Sequence, residues 1–538
     1  MDTPTAGLSF TSKLLPTATQ IAQVRNCSRA GILPVPASDL HAIVVEAPEE
    51  LTRYDAEITK LQNGLDRLVL ERTMLASYAD GCRSVLAPVQ RLPNELLADI
   101  FEWSFPEELY VLESTPEEEV DRISQWHLRQ LAQVCCRWYS IAMATPKLWS
   151  TIAVDTSLWS DCNISIQTLL TLLDYSLTQG QNHPLTLDVG ISNMYRCTDL
   201  VVEALTKHAH RWRDVFIWSD GEPHRYLANA TGSLDRLEML EINLSSNKSW
   251  NELEFFYQAP RLTEFSFAGR LENMPKIPWH QITKCSYHSD SHPPPPYQRL
   301  SVLLLANKVD TFTLELDLRN FPLDHDWHSY TSSMRHIEFE LSTNDPRVFD
   351  KLLDSLTLPS LESFSLAPLS DYDPPAWSSN RFVSLASRSQ FGESLTCLCV
   401  HAMIAHTELV RCLQAVPRLE KLVLADCVWI DDDAMIVITH ELLQLLTYTA
   451  NSSCLLPRLS TLHMTSLLEF TDASFLDLVA SRMRKTRIDG LASFETKLLC
   501  YPERQRDMSP ETLQQLAQMV ASGALKLTVL SEAIDTET

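Results

Sequence analysis

Residues 419–427 read Leu419-Glu420-Lys421-Leu422-Val423-Leu424-Ala425-Asp426-Cys427. An apolar residue, a gap of two, a second apolar residue and a third two positions on pick out Leu419, Leu422 and Leu424, with Glu420, Lys421 and Val423 between them. Alternation is the period of a strand, whose successive side chains leave on opposite faces. The stretch is therefore predicted as a strand with Leu422 and Leu424 turned to a core. The same apolar-x-x-apolar-x-apolar spacing recurs as Trp212/Val215/Ile217, Leu237/Leu240/Ile242, Leu262/Phe265/Phe267 and Ile282/Cys285/Tyr287. It continues as Val309/Phe312/Leu314, Met334/Ile337/Phe339, Leu361/Phe364/Leu366, Leu395/Leu398/Val400 and Leu459/Leu462/Met464. First residues are 20 to 40 positions apart, and seven of the nine steps lie between 20 and 27. Helical spacing fills gaps at 251–258, 347–356, 407–416 and 471–483. A strand-plus-helix unit of that size cannot bury its apolar face alone, and stacked neighbours supply the burial.

Steps of this length resemble leucine-rich repeats, the longer ones implying insertions. Two copies resemble the cysteine-containing type found beside F-boxes. One is Leu419-x-x-Leu422-x-Leu424-x-x-Cys427-x-x-Ile430-Asp431; the other runs from Leu459 to Phe470-Thr471-Asp472. The resemblance implies an irregular α/β solenoid with one curved parallel sheet over 151–500, ahead of a C-terminal helix and tail at 501–538. Asp431 to Asp433 are expected at a helix N-terminus, where carboxylates are favoured. Ser291-His292-Pro293 through Pro296 reads as a rigid break.

Upstream, residues 1–48 are rich in Pro, Ser, Thr and Ala without sustained periodicity, the composition of a flexible tail. Lys13, Arg25 and Arg29 against Asp2 give a faint transit-peptide character but no amphipathic stripe. Over 49–80 a heptad seam runs through Leu51, Tyr54, Ile58, Leu61, Leu65, Leu68 and Leu75, with Arg72 interrupting. Three heptads suit a dimeric coiled coil. Glu50, Asp55, Glu57 and Glu71 flank the seam, however, and Glu50 would face Asp55 of a parallel partner. The favoured reading is one helix packed on its own chain.

The next module covers 88–150. Arg91-Leu92-Pro93-Asn94-Glu95-Leu96-Leu97 opens a helix, with Pro93 in the first turn and Glu95 complementing the positive helix end. Leu96, Leu97, Ile100 and Phe101 extend its apolar stripe. A second helix is predicted with Leu131, Val134, Cys135, Trp138 and Ala142 on one face, stopping before Pro146-Lys147-Leu148-Trp149. This series resembles the F-box motif. The resemblance implies a small helical bundle, preceded here by the heptad helix, that binds the Skp-type adaptor of a cullin–RING ubiquitin ligase. By that resemblance the adaptor-binding residues are Leu92, Pro93, Glu95, Leu96, Ile100, Phe101, Leu131, Val134, Cys135, Trp138, Leu148 and Trp149. The acidic stretch from Pro106 to Gln125 departs from the usual, shorter F-box. The implied function is that of a substrate-recognition subunit. A scaffold that delivers nothing for ubiquitylation, or a hydrolase without familiar motifs, are the other readings.

Nothing in the chain asks for a cofactor. It has 12 glycines in 538 residues, and neither a phosphate-cradling loop nor a G-x-S-x-G elbow. His440-Glu441-Leu442-Leu443-Gln444 lacks the second histidine of a zinc-protease helix. Asp324-His325-Asp326-Trp327-His328 has no further ligand cluster to complete a metal site and reads as a solvated loop. The 13 cysteines include no C-x-x-C, which points to reduced thiols in a cytoplasmic or nuclear setting. A net charge of −25 argues against tracking a phosphate backbone, and no apolar run of membrane length occurs.

Strand alternation also identifies candidate partner-binding residues. Positions between and beside the inward residues hold Asp214, Glu241, Glu264, Glu315, Asp317, Glu338 and Glu340, against one lysine, Lys284. From Ser363 onward the equivalent positions are nearly neutral. Two readings of this face stand side by side, a solvated acidic surface and a site for a protein partner that presents a basic segment.

Overall fold

The computed structural model describes residues 14–31, 37–104, 125–156, 166–192, 197–221, 227, 234–245, 250–251, 253–270, 273–288, 302, 305, 308–318, 329–342, 345–369, 374–428, 434–449, 454–488, 493–501, 506–523 and 525–531. The acidic stretch 106–124, the Pro-rich break at 291–296, residues 324–328 and Asp431 to Asp433 lie outside them. The chain divides into two compact units, residues 1–97 and 98–538.

In the first unit, helix α1 (Ala18–Ala30) opens on a capping box. The Thr17 hydroxyl accepts from the Gln20 amide, and the Gln20 side chain accepts from the Thr17 amide at 2.9 Å. It closes at Gly31, whose φ of 67° suits a residue without Cβ. Helix α2 (Ala37–Leu86) follows, 50 residues long, with Pro48 inside it. The predicted flexible tail is therefore helical over 18–30 and from residue 37, and order begins well before Leu51. Caps and a glycine stop are local signals that composition does not register. The heptad seam does not bury itself either: Leu51, Ile58, Leu61, Leu65, Leu68 and Leu75 are 48–68% exposed.

Helix α3 (Asn94–Trp103) crosses into the second unit, followed by α4 (Gln125–Val134) and α5 (Cys136–Ala144). The predicted single helix through Leu131, Val134, Cys135 and Trp138 is in fact two. Cys135 leaves helical space (φ −163°, ψ 167°), and its sulfur accepts the Trp138 amide as the N-cap of α5. Phe101 packs on Trp138 with ring centroids 4.9 Å apart, and Trp149 donates its indole N–H to the Ala142 carbonyl at 2.8 Å.

The rest of this unit is built on one open sheet of 14 parallel strands whose spatial order is their chain order. The strands are β1 (Thr151–Asp155), β2 (Leu185–Ile191), β3 (Trp212–Ser219), β4 (Met239–Leu244), β5 (Glu264–Ala268), β6 (Lys284–His288) and β7 (Thr311–Asp317). They continue as β8 (His336–Ser342), β9 (Ser363–Pro368), β10 (Cys397–Val400), β11 (Lys421–Ala425), β12 (Thr461–Ser466), β13 (Phe494–Cys500) and β14 (Leu525–Ser531). All ten predicted motifs form β3 to β12, with their middle and last apolar residues buried. The register explains why. Val215, Leu240, Phe265, Cys285, Phe312, Ile337, Phe364, Leu398, Leu422 and Leu462 are Cα partners from strand to strand, so one apolar ladder runs across the sheet. Each leucine or phenylalanine in it stabilises the fold by about 1.5–3 kcal/mol on burial.

Four strands were not anticipated. β1 carries the same spacing, Trp149/Ile152/Val154, but Trp149 also ends the helical module's motif, which hides it. β2 has Pro184 where the first leucine belongs, β13 has buried Thr496 in the middle position, and β14 begins from small Ala524. Within the segment predicted as a C-terminal helix and tail, the helix is present as α13 (Pro510–Ala521), and residues 525–531 add a strand to the sheet.

Between strands run α6 (Ile166–Gln179), α7 (Cys197–Thr206), α8 (Pro346–Ser355), α9 (Ser379–Ser389), α10 (His406–Gln414), α11 (His440–Leu446) and α12 (Asp472–Ile488). The predicted helices at 347–356, 407–416 and 471–483 are present. That at 251–258 is reduced to a single 3-10 turn, Phe256–Gln258, stopped by Pro260. Phe382, Leu385, Leu409 and Leu413 of α9 and α10 join the same core as the ladder. Among the described residues no helix is long and apolar enough to cross a membrane.

Two neighbours in one strand provide the test of this architecture. Leu422 is fully buried whereas Lys421 is exposed. Leu422→Ala is expected to lower the unfolding free energy by about 2–5 kcal/mol, and Lys421→Ala to change it by less than about 0.5. Urea titration of both variants measures the difference.

Candidate functional site

Alternation that sends the ladder into the core leaves the second set of side chains on the opposite face of the sheet, where they form rows of their own. One row runs Ala153, Asp188, Phe216, Glu241, Ser266, Ser286, Thr313, Glu338, Ser365, Cys399, Val423, His463 and Lys497 in register. A flanking row holds Asp214, Met239, Glu264, Lys284, Thr311 and His336. On the other side Asp155, Gly190, Trp218, Asn243, Ala268 and His288 are aligned, and Glu315 pairs with Glu340. Strands in a sheet lie about 4.8 Å apart, so carboxylates on adjacent strands face one another closely.

All seven predicted acids are on strands β3 to β8, yet they are not equivalent. Glu264 pairs with Lys284 at 3.0 Å and Asp214 with Arg213 at 2.7 Å. His288 places one ring nitrogen 2.8 Å from Glu315 and the other 3.1 Å from the Ser266 hydroxyl. Among the described residues Glu338 accepts from two hydroxyls, Thr313 at 3.5 Å and Ser365 at 3.4 Å. The uniform acidic stripe expected from the sequence is thus partly neutralised by Lys284, Arg213 and His288. Its strongest negative character is concentrated around Asp188, Glu241, Glu338 and Glu340.

The protonation behaviour of this group follows from burial and like charge. Burial raises Asp188 from 3.8 to about 6, helped by Glu241 and Asp155. Burial also raises Glu241, and burial, Glu338 and Glu315 raise Glu340. His288 is raised chiefly by its hydrogen bond to Glu315. Asp188 and Asp155 belong to the two strands that the motif did not reveal. Gly190 is what lets Asp155 lie across the sheet, since a Cβ there would fall 2.8 Å from the Asp155 carboxyl carbon. The far end of the face differs in sign, with Lys421, Lys497 and Lys526 against Glu495.

The F-box-like residues divide into two sets. Phe101, Leu148 and Trp149 are buried, as is Leu97. They form core, so they are not themselves open to a partner. Leu92, Leu131, Cys135 and Trp138 are half-buried; Pro93, Glu95, Leu96, Ile100 and Val134 are exposed. Leu96 and Ile100, 48% and 49% exposed, lie one turn apart on the outer side of α3.

His440 begins α11, with Nε2 2.7 Å from the Gln444 side-chain nitrogen and Nδ1 3.5 Å from the Thr471 hydroxyl. No three His, Cys, Asp or Glu side chains among the described residues converge as metal donors. The sequence matches no family model, and no curated protein matches it. What the fold and its faces define is a mixed helix-and-strand chain built on a long, open, parallel sheet with a charged outer face.

Asp188 gives this face a pH dependence. In the unfolded chain it ionises near 3.8, and in the folded chain near about 6. Its contribution to stability is present in full below the first value and is lost as pH rises through the second, where the folded state must hold a carboxylate beside Glu241 and Asp155. Asp188→Asn removes that charge. The variant is expected to melt a few degrees above the wild type near about pH 7.5 and at the same temperature near about pH 3.5. Differential scanning calorimetry across this range tests it; an offset that ignores pH would refute the role of ionisation.

Proposed function

We propose that this chain is the substrate-recognition subunit of a Skp adaptor–cullin–F-box type ubiquitin ligase. In this reading the F-box-like helices hold the adaptor, and a leucine-rich-repeat-like array holds a protein substrate. The observation that carries it is the division of the motif on α3. Leu97 and Phe101 face inward while Leu96 and Ile100 stay in solvent, as a docking helix requires. Val134 and Tyr139, on the second half of the motif, are likewise exposed.

The mechanism is positioning. A chain bound to the adaptor at one end and to a substrate along its sheet raises the effective concentration of substrate lysines near the charged ubiquitin carrier, and makes or breaks no bond itself. Asp188, Glu241, Glu338 and Glu340 would draw a basic segment to the first eight strands. Serines and cysteines on β9 and β10 would allow closer approach beyond them. Charge of this kind chiefly accelerates encounter and selects partners.

Leu96→Ala with Ile100→Ala is expected to weaken adaptor binding roughly 30- to 1,000-fold while the far-UV circular dichroism stays unchanged, since interface anchors contribute about 1–2 kcal/mol each. Pull-down of a purified Skp-type adaptor measures it, and equal recovery by a folded double variant would remove the docking assignment. A partner captured with proteasome inhibition should associate more slowly with the Glu241→Gln, Glu338→Gln variant. Its wild-type affinity should also fall as salt rises, because exposed charges are screened beyond roughly 8 Å at physiological ionic strength. Binding that ignores both changes would leave the acidic face as solvation alone.

A further inference from the structure

Helix α2 carries a feature that the proposed function does not use. Beyond Pro48, residues 51–86 keep a 3,4 apolar spacing through five heptads, about 54 Å at the rise of an α-helix. Leu61, Leu68 and Leu75, each 49–68% exposed, occupy d positions together with half-buried Tyr54 and exposed Cys82. Ile58 holds an a position, and Arg72 is the single charged residue in the seam. We propose that residues 51–86 form a parallel, in-register, two-stranded coiled coil with a second copy of this chain.

Several observations specify that occupant. Three to four heptads are enough for a coiled coil, and five are present. Covering this stripe on two copies removes on the order of 1,500 Å² from water, the size of a standard specific interface. Leucine predominates at both a and d, Ile58 is the one β-branched a residue, and the single charged a residue, Arg72, specifies register and oligomer state at some loss of stability. The long Arg72 side chain can carry its guanidinium out of the seam to water.

The acids flanking the seam do not oppose this pairing as their count suggests. Glu50 is bound to Arg53 at 2.7 Å, Glu57 to Lys60 at 3.4 Å and Glu71 to Arg67 at 2.8 Å, each on the same helix. Across a parallel seam only Glu50 meets a like charge, Asp55. Glu57 meets Gln62 and Glu71 meets Ala76. The two symmetry-related contacts of this kind, at the N-terminal end of the coil, are small beside five heptads of burial.

The register makes its own marker. Cys82 is exposed and falls at a d position, so in-register parallel strands bring it against Cys82 of the second copy. The full chain at micromolar concentration is expected to sediment at about twice 61.1 kDa. Leu61→Glu with Leu68→Glu should give a monomer, dissociating at least 100-fold more readily, with the circular dichroism of the sheet preserved. Mild oxidation should yield a covalent dimer from the wild type and none from Cys82→Ser. A monomeric wild type, a dimer that survives the double substitution, or a dimer that Cys82 does not cross-link would each overturn the proposal.

Discussion

Everything in the larger unit depends on one geometric constraint: strands paired in register on a parallel sheet place equivalent residues directly beside one another. An apolar residue at one position is buried only if the neighbouring strand offers an apolar residue at the same level. Leu398 meets this condition with Phe364 on one side and Leu422 on the other. A slip of one residue would turn Phe364, Leu398 and Leu422 out and bring Ser363, Cys397 and Lys421 in, so the register is strongly specified. The constraint also explains why ten copies of a weak six-residue pattern define a fold that none defines alone.

Stacking leaves carbonyls at the ends of short helices without partners, and arginines satisfy them, Arg211 and Arg482 from buried positions and Arg388 from an exposed one. Arg211 donates to the Leu177 carbonyl near the end of α6 at 2.7 Å and to that of His183 at 3.0 Å. Arg388 reaches the Leu353 and Leu356 carbonyls where α8 ends. Arg482 donates to the carbonyls of Leu446, which closes α11, and Leu456. In each case the arginine comes from a following segment, so one repeat is tied to the next by hydrogen bonds as well as by apolar contact. Gly180 makes room for the first of these, because a Cβ there would meet the Arg211 guanidinium at 2.6 Å. Asp426 does related work beyond β11. Its buried carboxylate accepts from the Val437 and Ile438 amides, the Ser466 hydroxyl and the Leu467 amide, and so fixes the excursion between β11 and β12.

The same register that builds the core brings acids together on the outer face. Glu315 and Glu340 are Cα partners, and Asp188 lies two strands from Glu241 along one row. Such an arrangement works against stability, since carboxylates held close and half-buried favour protonation. Structure relieves part of it through His288 and Lys284 and leaves the rest exposed to whatever approaches the sheet.

The repeat character of the chain, its ten central strands and three of its helices were legible in the sequence, because alternation and spacing are local properties. The apolar seam of α2 was legible for the same reason, as was the apolar stripe of α3, but the division of that stripe into inward Leu97 and Phe101 and outward Leu96 and Ile100 was not. Other features were decided only by tertiary structure. β13 is a strand because its neighbour supplies a ladder for buried Thr496, which no hydrophobic pattern announces. The acidic face has its particular distribution because Lys284 and His288 belong to a different strand from the acids they neutralise. A sequence records which side chain follows which. It does not record which backbone lies 4.8 Å to either side, and on this sheet that neighbour determines whether a carboxylate is paired, crowded or free to receive a partner.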